Sequence, residues 1–232
     1  MSISTVVVDS ALPALHIPDG FLSPAVAAGG WVVAAAAVAY SARRANRDLD
    51  ERAVPLMGVM AAFIFAAQMI NFPVAGGTSG HLLGGTLAAL LLGGPWLAIV
   101  VMTSVVALQA VLFQDGGLLA MGANIANMGV LTSVGGYGIV AVLRPLLRGR
   151  TGMLVAAGIG AWVSVEVSAA AAGLELAWSG TSALSVVMPA LLGVHALIGL
   201  GEAAITAAAL AFVVSTRPDL VGRMRAGSEV AS

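Results

Sequence analysis

The 232-residue chain contains no cysteine and no lysine. Without cysteine there is no disulfide framework, no thiolate metal site and no thiol nucleophile. Charge is almost as scarce. Ten arginines and 11 acids make up 9% of the residues and leave a net charge of −1, against roughly a quarter charged in an average soluble domain. That balance excludes a basic nucleic-acid-binding face. A hydrophobic content of 59% excludes a disordered chain. So few charges cannot cover the surface of a soluble globule. Aromatics are also sparse, at 5%, and much of the remainder is alanine and glycine. The composition implies an all-α polytopic membrane bundle, folded as one domain.

Arginine is clustered at 43–52, 144–150 and 217–225, and apolar stretches lie between these clusters. A span needs roughly 20 apolar residues. Seven are expected, at 24–42, 53–71, 82–94, 96–113, 120–143, 151–176 and 185–215. The third is short and glycine-flanked, as expected of a segment tilted or buried among the others. An ordered non-helical loop is expected over 76–80. Basic loops stay cytoplasmic. Seven spans put all three arginine clusters on that side, leaving residues before 24 and the loops 72–81, 114–119 and 177–184 outside. Small residues at four-residue spacing, Gly76, Gly80 and Gly84, or Ala35 and Ala39, suit close backbone approach between helices.

The chemistry rests on few side chains. The three histidines are His16, His81 and His195. His16 and His81 fall on the outer side of this topology, flanked by glycine-rich loops. Imidazole suits nickel, cobalt, copper and zinc, so these two are candidates for a shared nitrogen site. The competing reading is a pair of interfacial histidines hydrogen-bonded to backbone. Other polar groups in apolar surroundings need partners. Asn71, Gln109, Asn124 and Asn127 are candidates to orient the histidines or to bond neighbouring helices. His195 and Glu202 stand seven residues apart, on one helical face. Asp19 and Asp115 face outward, where they would attract cations.

Five segments carry a resemblance. They are His16-Ile-Pro-Asp-Gly-Phe-Leu22, Gly77-Thr-Ser-Gly-His81-Leu-Leu-Gly-Gly85, Phe113-Gln-Asp-Gly-Gly117-Leu, Gly122-Ala-Asn124-Ile-Ala-Asn127-Met, and His195-Ala-Leu-Ile-Gly-Leu-Gly-Glu202. In this order they resemble the CbiM/NikM family, over about residues 15–215. These are the substrate-capturing membrane subunits of energy-coupling-factor importers for cobalt and nickel. The resemblance implies a metal held by a terminal amine, by the backbone nitrogen and Nδ1 of the following histidine, and by a second histidine. The matching positions are Leu15, His16 and His81. A square-planar field of four nitrogens suits nickel(II), and also cobalt(II) or copper(II). Around that site Ser79, Asn71, Gln109, Asn124, Asn127, His195 and Glu202 are the expected supporting residues.

The resemblance also implies what the chain works with. Lacking a Walker motif, it would depend on a transmembrane coupling protein and on ATP-binding cassette subunits, with a small auxiliary membrane subunit as a further partner. The cobalt or nickel ion would be the transported substrate, no permanent cofactor would be needed, and no nucleic acid would be involved. The expected home is a bacterial or archaeal plasma membrane. Cobalt import would serve cobalamin biosynthesis.

One departure concerns the start. Residues 1–14 precede Leu15-His16, and a retained extension would convert the amine at position 15 into an amide. Either translation begins at Leu15, the favoured reading, or residues 1–14 are removed; the alternative is an extension that stays and folds over the site. The expected organisation is therefore an extension at 1–15, one transmembrane metal-binding domain at 16–216 and a cytoplasmic tail at 217–232. A rival from another class is a rhomboid-like intramembrane serine protease. It would use Ser79 in Gly77-Thr78-Ser79-Gly80 as nucleophile and His195 as base, but it leaves the His16 segment unexplained.

Overall fold

The computed structural model describes residues 16–49, 51, 53–70, 72–73 and 79–217. Among them are seven helices: α1 (Pro24–Asp48), α2 (Ala53–Met69), α3 (Gly85–Leu91), α4 (Pro95–Leu112), α5 (Met121–Leu143), α6 (Gly149–Trp178) and α7 (Leu184–Thr216). All but α2 and α3 are long and apolar enough to cross a membrane. The all-α polytopic bundle expected from composition is the architecture observed. Many large apolar side chains, such as Val32, Val142 and Phe212, face outward. On a water-facing surface such patches would be a liability, whereas lipid accepts them.

The helix starts follow local chemistry. Ser23 caps α1, its Oγ accepting from the Val26 amide at 3.4 Å, and Pro24 follows in the first turn. Pro95 opens α4 in the same way, a position where a missing N–H costs nothing. The cap of α5 is Ala120, which has no side-chain acceptor of its own. The middle of α5, Ile125–Gly135, is wound as a π-helix.

The third segment differs from a span. Helix α3 has only seven residues, a length of about 10 Å. Gly84 (φ +84°) and Gly93 (φ +80°) break it at either end with left-handed backbone. All seven residues are buried, because α3 is surrounded by α4, α5, α6 and α7. The apolar character of this stretch therefore reflects protein interior, as the sequence allowed. Before it, Phe72–Pro73 pairs antiparallel with Ser79–Gly80.

Small residues make the close crossings, though at other positions than expected. Ala35 and Ala39 are exposed. The contact face of α1 instead carries Gly30, where a Cβ would lie 2.7 Å from the Ala123 nitrogen. In the same crossing a Cβ on Gly122 of α5 would lie 2.5 Å from the Trp31 backbone. Gly80 lies in the strand pair and Gly84 precedes α3, so neither sits inside a helix; Gly76 lies outside the described residues. Around α3, Gly85 abuts Thr132 and Gly136 abuts Thr86. The Thr86 hydroxyl donates to the Thr132 carbonyl at 3.0 Å and lies 2.8 Å from Ser164 Oγ. The centre of the bundle is thus packed backbone to backbone and cross-linked by hydroxyls.

Candidate metal centre

His16 and His81 meet. They stand 65 residues apart in sequence, yet their ring centroids lie 5.0 Å apart with the planes inclined by 50°. Both are buried. Both nitrogens of His16 and the Nε2 of His81 have no hydrogen-bond partner. The Nδ1 of His81 lies 2.9 Å from the Leu82 carbonyl. A carbonyl only accepts, so Nδ1 carries the proton and the Nε2 lone pair is free. Burial pushes the His16 imidazole down to about 3. The neighbouring His81 adds to this, and the Asp115 backbone, close to the ring but making no well-formed hydrogen bond with it, partly offsets it. Burial also lowers His81, partly offset by the Leu82 carbonyl and by the charge of Asp115. Both rings are therefore neutral at physiological pH, the state in which imidazole binds metals.

The segment carrying His16 is held against α5. Asn124 Oδ1 accepts from the Ile17 amide at 2.9 Å, and its Nδ2 donates to the Ile17 carbonyl at 3.1 Å. The Gly117 amide donates to the same carbonyl at 3.0 Å. Gly116 (φ +94°) passes directly over His16, where a Cβ would come within 3.3 Å of the His16 Cβ and 3.5 Å of Nδ1. Asp19 accepts from the Leu118, Leu119 and Ala120 amides at 3.0, 2.8 and 3.1 Å. Its carboxylate, outward and exposed as expected from sequence, is thus engaged with backbone.

The segment carrying His81 is held from two other helices. Glu202 of α7 accepts from the Leu83 and Gly84 amides at 2.7 and 2.8 Å, one oxygen each. Gln68 of α2 donates to the Leu83 carbonyl at 2.7 Å. This buried carboxylate therefore ends on two N–H groups beside the N-terminus of α3, where a negative charge is favoured.

The other expected residues divide. Asn127 donates to Glu175 at 2.7 Å and does not orient a histidine. It lies three residues beyond Asn124, and a carboxylate on α6 satisfies it. His195 bonds the Leu191 carbonyl one turn earlier through Nδ1, at 2.7 Å. Gln109 is fully buried with both amide atoms unpartnered. Leu15 and Asn71 lie outside the described residues, as does the side chain of Ser79. Among the described residues, no three His, Cys, Asp or Glu side chains gather closely enough to hold a metal. The supporting roles of Asp19 and Gln68 were not assigned from sequence. For Asp19 a signal existed: a carboxylate three residues after His16, and a Gly116-Gly117 pair that leaves room for it.

Known proteins match the chain over most of its length. A protein of Haloquadratum walsbyi with the provisional name of metal transport protein is 40% identical over 209 residues, which span 89% of this chain and 93% of its own. One of Archaeoglobus fulgidus, provisionally named fused nickel transport protein NikMN, is 36% identical, over 94% of this chain and 71% of its own. A crystal structure described as a truncated transition metal transporter superposes with a TM-score of 0.79 at 33% identity, covering 86% of this chain and 98% of that one. The rhomboid-like alternative finds no support among these relatives. Residues 16–220 match the family described as CbiM, cobalt uptake substrate-specific transmembrane region, and the chain belongs to it.

Proposed function

We propose that the chain is the metal-capturing membrane subunit of an importer for cobalt(II) or nickel(II), with His16 and His81 as ligands to one ion. The observation that carries this reading is the pair itself: two buried, neutral imidazoles in contact, with three ring nitrogens unpartnered. Buried polar groups without partners are costly, and a cation with nitrogen ligands would satisfy these. No acidic or thiolate donor joins them among the described residues, and the family resemblance implies that the remaining donors are main-chain. On this reading they are the backbone nitrogen of His16 and the amine of residue 15. His81 contributes Nε2, because its Nδ1 proton is committed to Leu82. Asn124 and Glu202 orient the two ligand segments.

The ion is captured on the outer side, with the arginine clusters facing the cytoplasm. The chain is a transport subunit and performs no reaction of its own. Uptake is driven by ATP-binding cassette subunits through a transmembrane coupling protein, with a small auxiliary membrane subunit as further partner. Residues 16–216 form the transmembrane metal-binding domain and 217–232 the cytoplasmic tail.

The test is calorimetric titration of the detergent-purified chain with nickel and cobalt, alongside His16→Ala and His81→Ala. Both variants should lose tight binding while still inserting into the membrane. Undiminished affinity in His81→Ala would refute the assignment.

A further inference from the structure

The geometry points to Asp19 as the residue that docks the His16 segment onto the start of α5, so that the metal centre is assembled only when the Asp19 carboxylate is seated on the Leu118–Ala120 amides. This rests on the reading of His16 and His81 as ligands. Helix α5 begins without a side-chain cap of its own, since Ala120 occupies that position. The carboxylate that holds its approach comes from about 100 residues earlier, and it accepts the amides of Leu118, Leu119 and Ala120, the turn that leads into the helix. Charge-assisted bonds of this kind are about twice as strong as neutral ones. The fit is tight: a Cβ at Gly117 would fall 2.1 Å from Asp19 Oδ1 and 2.3 Å from the Asp19 nitrogen. Only glycine at 117 leaves the seat open.

Asn124 and Gly117 hold the segment at Ile17, and Asp19 adds three bonds further along. Pro18, Asp19 and Gly20 are themselves exposed. Beyond them, the Thr181 hydroxyl donates to the Phe21 carbonyl. His16, three residues before Asp19, contributes no hydrogen bond from its own ring. Its place against His81 is thus imposed by what holds its neighbours, Asn124 and Gly117 at Ile17 and the bonds of Asp19 two residues further. Asp19 is a positioning residue: its carboxylate is committed to three amides and reaches the ion only through His16. Two of these bonds lie at the surface, where water can take the carboxylate's place, so Asp19→Ala should leave the helices folded.

The experiment compares Asp19→Ala and Gly117→Ala with His16→Ala and His81→Ala in the full chain. The readouts are nickel affinity and the visible ligand-field spectrum of the nickel-loaded protein. The first variant removes the carboxylate; the second keeps it but fills its seat. Loss of a group that orients a ligand weakens metal binding roughly 10- to 100-fold, and both variants should show that loss. At saturating nickel, their spectra should match that of His16→Ala and differ from that of the parent, which a general loss of stability would not produce. If Asp19→Ala keeps the parent's affinity and spectrum while the histidine variants lose theirs, Asp19 does not position the ligand. If the histidine variants bind as the parent does, the histidine reading itself fails and this proposal falls with it.

Discussion

Asn124 grips residue 17 by both of its backbone polar groups, accepting from the Ile17 amide at 2.9 Å and donating to its carbonyl at 3.1 Å. A side-chain amide can do this because it carries an acceptor and a donor side by side. The pairing sets the direction of the backbone that delivers His16.

Asn124→Asp should therefore be damaging although it is nearly isosteric. It replaces the donor with a second acceptor, which would face the Ile17 carbonyl. The expected result is a roughly 10- to 100-fold loss of nickel affinity, measured by titration in detergent. Parent-like affinity would show that the double bond to Ile17 is dispensable.

Glu202→Gln tests the other half of the site. Glutamine offers one acceptor to the two amides of Leu83 and Gly84 and turns a donor toward the second. Losing a hydrogen bond to a buried charged group costs roughly 1.5–3 kcal/mol. Both the thermal midpoint and the nickel affinity should fall, since the loop that moves carries His81. A lowered midpoint with unchanged affinity would make Glu202 a purely structural clasp.

The metal-free protein should lose stability in acid through its histidines. Folded, His16 titrates near 3 and His81 is also lowered; unfolded, both return to about 6.5. Between these values the unfolded chain binds more protons, so stability falls as pH drops. The contribution is complete above about pH 6.5 and lost progressively toward pH 3. Thermal midpoints from pH 7 to 4 should decline, and less steeply in His16→Gln. An identical slope in that variant would contradict the burial argument.

The start of the chain should govern affinity. A terminal amine at residue 15 would close a chelate ring with the His16 backbone nitrogen, whereas residues 1–14, if retained, would turn that amine into a poorly donating amide. A chain beginning Met-His at positions 15 and 16 should bind nickel much more tightly than one that retains residues 1–14. Equal affinities would remove the amine from the donor set.

Much of this was legible in the sequence. Scarce charge and runs of membrane length give the helical bundle, and the arginine clusters mark where helices end. The glycine-flanked 82–94 stretch was readable as a buried segment. Its short helix depends on Gly84 and Gly93 adopting left-handed backbone, which apolarity does not encode. His16 and His81 stood out because histidine is rare here, and the structure brings them into contact. What holds them was less legible. Asn124 and Glu202 were visible as polar residues needing partners, but their partners are backbone groups, to which any residue type contributes. The role of Asp19 was hidden for the same reason: its outward place was readable, but not the amides of residues 118–120 that fold onto it. Asn127 shares a motif with Asn124 yet bonds Glu175, a pairing set by the packing of α5 against α6.

The central claim is that His16 and His81 share one metal ion in a nitrogen-only field. X-ray absorption at the nickel edge of the loaded protein tests it most directly. The predicted result is four nitrogen-type neighbours in a square-planar arrangement, outer-shell scattering from two imidazoles, and loss of one imidazole in His81→Ala. A six-coordinate, oxygen-rich shell, or imidazole scattering unchanged by His81→Ala, would contradict it.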